Sequence, residues 1–169
     1  GNIYRVLHRM KETGGLVGVH CENRELIDAL VAGQKESGQL SPAAYPHTRP
    51  AQAEAEAINR LLEIASLVDV PVMVVHLSTA RGYQVIKAAR ARGQKVFVET
   101  CPQYLLRGDE KYKLPAMEAA KYVIAPPLRQ KEDNDILWAA VKENRVQTIT
   151  TDHCSFTLEQ KEVGKADFT

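Results

Sequence analysis

Apolar residues recur at helical spacing in five stretches of the chain and bunch into four short β-prone runs between them. Residues 2–13 place Ile3, Val6, Leu7 and Met10 on one helical face, and Gly14-Gly15 stops the pattern where a C-cap glycine would stand. The same period recurs with Leu26, Ile27, Leu30 and Val31 in residues 23–36, and with Val85, Ile86 and Ala89 in residues 79–92. It appears again with Ile136, Leu137, Ala140 and Val141 in residues 133–143. Residues 51–67, rich in alanine and glutamate, carry Ile58, Leu61, Leu62 and Ala65 on one face and make the clearest helix. Residues 16–19, 72–75, 95–98 and 146–149 read as strands; the first two lack polar alternation, as strands buried on both faces do.

The connections carry different signals. Pro42, Pro46 and Pro50 predict a loop without regular structure. Residues 107–121 are mixed and charged, with a short helix expected at 115–121, and Pro126-Pro127 enforces an extended path. Four strands alternating with helices predict an α/β fold with a parallel sheet, either doubly wound or part of a β/α barrel.

Three of the strands end on metal-capable side chains: His20 after 16–19, His76 after 72–75 and Asp152 after 146–149. In a parallel barrel all strand C-termini open on one rim, so these would converge despite their separation in sequence. Two imidazoles and a carboxylate suit Zn²⁺ or a similar divalent ion that activates water for amide hydrolysis, with Asp152 able both to touch the metal and to take the proton. Each has a blander reading: a histidine ending a strand is commonly a hydrogen-bonded structural residue, and Asp152 can simply cap its turn. His8 and His47 are expected in solvent, and His153 beside a ligand or a substrate. Cys21 and Cys154 are expected to be small buried packing residues, since neither has a base beside it.

Composition narrows the partners. With 22 Lys and Arg against 21 Asp and Glu in 169 residues, and no polybasic tract, nucleic acid is not expected. Three cysteines without a CxxC pair suggest neither a disulfide framework nor a thiolate zinc site, and fit reduced thiols in a cytosol. No apolar run approaches the length of a membrane span. The sequence opens in helix-like residues and stops at Asp167-Phe168-Thr169 with no closing element, as a piece of a longer protein would.

Five motifs in order carry a family resemblance: Val19-His20-Cys21-Glu22-Asn23, His76-Leu77-Ser78, Glu99-Thr100-Cys101-Pro102-Gln103-Tyr104-Leu105, Ala125-Pro126-Pro127-Leu128-Arg129 and Thr151-Asp152-His153-Cys154-Ser155-Phe156. Together they resemble the dihydropyrimidinase and D-hydantoinase family of the amidohydrolase superfamily, over essentially the whole chain. The resemblance implies a cytoplasmic, homo-oligomeric enzyme, tetrameric in the family. Its (β/α)8 barrel would hold two metal ions, with zinc expected, and open small cyclic amides such as dihydrouracil or hydantoins. It casts His20 and His76 as ligands of the second metal on strands five and six. Asp152 becomes the eighth-strand ligand of the first metal and the general base, and Ala125 stands where a serine contacts substrate through its main chain.

The family's first-strand His-x-His pair and carbamylated lysine have no counterpart in these 169 residues. The expected object is therefore a partial barrel, strands five to eight, inactive alone and inclined to dimerise or repack through its open strand edges. Two alternatives accompany this reading. Metal-free structural or signalling relatives act by assembly but would be expected to have replaced His76 and Asp152, and the sibling allantoinases and dihydroorotases share the chemistry.

Overall fold

The computed structural model describes residues 2–169, the side chains at 163 and 165 excepted. The regular elements are helix α1 (Asn2–Thr13), strand β1 (Val17–Val19), α2 (Arg24–Glu36), α3 (Tyr45–Thr48), α4 (Ala51–Val68), β2 (Val72–Val74), α5 (Ala80–Ala91) and β3 (Val96–Thr100). They continue with α6 (Pro102–Leu106), α7 (Ala116–Ala120), α8 (Lys131–Lys142), β4 (Thr148–Ile149) and α9 (Leu158–Glu162). All strand pairings are parallel and the sheet order is β1-β2-β3-β4. A doubly wound sheet reverses its order at a switch point, whereas this one advances strand by strand as a barrel does.

The five long helices fall where the 3.6-residue period put them. Their ends follow from capping: Asn23 Oδ1 accepts the Leu26 amide at 3.1 Å to start α2, and Thr79 Oγ1 accepts the Gly82 amide at 2.9 Å to start α5. Helix α4 ends on Asp69 in the left-handed region. It packs against α5, α1 and β2, and buries Ile58, Leu61, Leu62 and Ala65.

The sheet is covered on one face only, which corrects the expectation of strands buried on both. Val72, Val74, Val96 and Val98 point into the core, while Phe97, between the last two, stays exposed. Gly18 and both residues of β4 are exposed as well. The period of two within each strand was masked in the sequence because the uncovered face of β1 and β2 is also apolar.

Other departures have local causes. The proline-rich loop contains a 3₁₀ turn at Pro42–Ala44 followed by α3, each with proline in its first turn, where a missing N–H is harmless. In α8 the exposed Ile136 yields the core position to Asn134, whose amide donates to the carbonyls of Tyr104 (2.6 Å) and Arg107 (3.2 Å). Strand β4 is two residues shorter than expected. At Gln147 the backbone N–H donates to Val98 O and the side-chain oxygen accepts the Val98 N–H, both at 2.9 Å, so the side chain replaces a ladder carbonyl. Beyond Asp152, α9 leads to Phe168, which is buried and donates its N–H to Leu40 O at 2.9 Å, so the last residues dock on the fold.

Candidate active site

The parallel sheet places His20, His76 and Asp152 on one rim, just past the C-terminal ends of β1, β2 and β4. His20 and His76 meet. His20 Nδ1 and His76 Nε2 lie 2.9 Å apart, with the rings 4.8 Å between centroids and nearly edge to face. The second nitrogen of His20, Nε2, sits 3.2 Å from Glu22 Oε2, a carboxylate whose side chain is only 4% exposed.

Environment drives the two imidazoles apart. The hydrogen bond to Glu22 holds the His20 pKa above its usual value against the opposing effect of burial, with the charges of Glu22, Glu54 and Asp152 adding to it. Burial and the neighbouring His20 hold His76 below its usual value. His20 is therefore the first of the pair to take up a proton. Nδ1 of His76 and Oε1 of Glu22 are buried without a hydrogen-bond partner.

His76 adopts φ 39°, a left-handed conformation rare for a residue with a side chain. It is enforced from both sides: Val75 N–H bonds to Val19 O at 3.3 Å and Leu77 N–H to Glu99 O at 2.8 Å.

Asp152 also has positive φ, 47°, and lies exposed beside a cavity of about 350 Å³ lined by Gln103, Tyr104, Ala125, Phe156 and Lys161 among others. Its carboxylate makes no hydrogen bond among the described residues, so the turn-cap alternative is not realised. It shares that cavity with Ala125, and its charge reaches both imidazoles. Among the described residues, no three His, Cys, Asp or Glu side chains cluster closely enough to hold an ion by themselves. The structure thus joins His20 to His76, and Asp152 to Ala125, as two parts of one rim.

The histidine pair nonetheless fits a divalent cation. Two nitrogens 2.9 Å apart can both reach an ion at about 2.0–2.1 Å, and Glu22 fixes the tautomer that leaves His20 Nδ1 facing inward. Sequence pattern marks Glu22 only as part of a motif and does not distinguish Glu54 from the other glutamates of its helix. The available signal for Glu22 was its place two residues beyond a strand-terminal histidine.

Against known proteins, no family model matches the chain. The D-hydantoinase of Geobacillus stearothermophilus is 42% identical over 170 residues, which cover 100% of this chain and 36% of that protein. The D-hydantoinase of Streptomyces coelicolor is 40% identical over the same share of each. The crystal structure of dihydropyrimidinase from Brevibacillus agri superposes with a TM-score of 0.96 at 42% identity, covering 98% of this chain and 36% of that one.

Over its whole length the chain is homologous to part of the D-hydantoinases and dihydropyrimidinases. It spans about a third of the length of the curated relatives it matches. An L-hydantoinase (dihydropyrimidinase) from Arthrobacter aurescens also aligns over 98% of the chain, with a TM-score of 0.88 at 31% identity, so the sheet matches part of the hydantoinase barrel.

The cysteines divide by position. Cys21 and Cys101 are buried, and burial pushes their thiols up to about 12 and about 11. Cys154 is exposed, contrary to the packing role expected, because the loop between β4 and α9 has nothing over it. At pH 8 iodoacetamide is expected to label one thiol in the native protein and three in denaturant; rapid native labelling of Cys101 would contradict the burial. The buried thiols ionise more easily once unfolded, near 9.0, so their stabilising effect is complete below that pH and is lost as pH rises towards 11–12.

Proposed function

We propose that these residues form the strand-five-to-eight part of a metal-dependent cyclic amidohydrolase barrel that opens dihydropyrimidine or hydantoin rings. The observation that carries this is the convergence of His20 Nδ1 and His76 Nε2 at 2.9 Å on the sheet rim, in a chain whose relatives are named hydantoinases.

His20 and His76 would hold one divalent ion, zinc by the chemistry of the donors, and Asp152, past the end of β4 with β3 in between, would be a ligand of the other. Such an ion supplies Lewis acidity towards a ring carbonyl and lowers the pKa of water towards about 7. Glu22 keeps His20 in the productive tautomer. Asp152 takes the proton from the attacking water and returns it to the departing ring nitrogen. The Ala125 main chain, on the same cavity, orients the ring by hydrogen bonding, which a side-chain exchange from serine leaves intact. Free cysteines fit a cytoplasmic protein. Among the described residues β1 and β4 each pair on one side only, and those edges are where further strands or a second chain would add.

The test is ring opening of dihydrouracil, hydantoin, allantoin and dihydroorotate by a protein in which this stretch completes a barrel. Chelation should abolish turnover and zinc, manganese or cobalt restore it; failure to open any cyclic amide with metal restored would reject the reading. The 169 residues alone, which lack a His-x-His pair, are expected to show no turnover with added zinc and to sediment as a dimer or larger. A compact monomer would mean the edges are closed in another way.

A further inference from the structure

Glu54, in the first turn of α4, is a buried carboxylate, 2% exposed, met so far only through its charge on the histidine pair. It receives four hydrogen bonds from two consecutive residues. Oε1 accepts the Ser78 amide at 2.9 Å and the Ser78 hydroxyl at 2.8 Å; Oε2 accepts the Thr79 amide at 2.9 Å and the Thr79 hydroxyl.

The directions are fixed by proton count. The Ser78 oxygen also accepts from Arg129 Nε at 3.0 Å, and the Thr79 oxygen accepts from the Gly82 amide at 2.9 Å. Each hydroxyl has one proton, and it points at Glu54. A carboxylate is acceptor-only and fits all four donors; a carboxamide would turn an NH₂ against two of them. The fold keeps room for it: a Cβ at Gly82 would come within 3.0 Å of Glu54 Oε2 and 2.8 Å of Ile58 Cδ1.

Ser78 and Thr79 follow His76 by two and three residues. With β2 held in the sheet and Leu77 N–H bonded to Glu99 O, anchoring these two residues fixes the far end of the turn that forces His76 into its left-handed φ. We propose that Glu54 is a positioning residue: through Ser78 and Thr79 it holds the His76 ring where Nε2 meets His20 Nδ1. Its value for metal binding rests on the function proposed above; its effect on ring geometry does not.

The test compares the protein with Glu54→Gln, Ser78→Ala and a core control, Leu62→Ala, using two measurements: the nuclear Overhauser effect between the His20 and His76 rings, and the affinity for cobalt(II) alone. Glu54→Gln should keep a dispersed amide spectrum, lose the ring contact and weaken cobalt binding about tenfold or more. Ser78→Ala, which removes one donor and folds more readily, should weaken both partially. Leu62→Ala, though less stable, should retain the ring contact. Unchanged ring contact in folded Glu54→Gln or in Ser78→Ala overturns the proposal, as does its equal loss in Leu62→Ala. Should no form bind cobalt, the metal reading fails while the ring contact still decides the role of Glu54.

Discussion

Replacing Asp152 by asparagine is expected to lower ring opening in the assembled barrel by about a thousandfold, within the range that general-base catalysis supplies, while leaving stability within about 0.5 kcal/mol. The side chain is exposed and makes no hydrogen bond among the described residues, so the fold does not depend on it. Its backbone, at φ 47°, lies in a region that asparagine tolerates as readily as aspartate. The amide keeps the shape and removes the basic oxygen and its charge, which also reaches His20 and His76. The measurements are kcat and the thermal midpoint. Retained kcat would remove Asp152 from catalysis, and equal loss of rate and stability would make it structural.

The second large effect concerns the support beneath the rim. Leu62→Ala should destabilise the protein by about 2–5 kcal/mol, because the site is fully buried on α4 and its neighbours can close only part of the cavity. Leu67→Ala in the same helix, at a position 76% exposed, should change stability by less than about 0.5 kcal/mol. Urea unfolding of the two variants makes the comparison with residue type and helix held constant. Similar midpoints would mean that α4 does not form the centre of the core.

Local rules carried the long helices because their signals lie in adjacent turns: Leu61 and Leu62 declare the buried face of α4, and Gly14-Gly15 stops α1. The rules failed where a partner distant in sequence decides the outcome. Ile136 looks as apolar as Leu137, yet the carbonyls of Tyr104 and Arg107 need a donor and Asn134 supplies it. Gln147 reads as a strand residue, but its side chain completes the ladder and shortens β4. Cys154 resembles Cys21 until one sees that only Cys21 has an element packed above it.

The candidate site divides in the same way. His20, His76 and Asp152 were legible as candidates because each stands at or near a strand end, while Ala125 entered only through the order of motifs that resembles one family. Glu22 and Glu54 were not, since a glutamate's role depends on what its carboxylate meets. For Glu54 the four donors lie 24 and 25 residues away.

By itself the sequence determined the succession of helices and strands, the residue types delivered to the rim and the family they resemble, because periodicity, caps and motif order are properties of neighbouring residues. Only the tertiary structure decided that the strands stack in chain order with one face open, that His20 and His76 touch while Asp152 joins Ala125 across the rim, and that Glu54 anchors the turn bearing His76. Those outcomes depend on which hydrogen-bond donors and apolar faces meet in space after the chain has closed on itself, and sequence spacing alone does not encode those meetings.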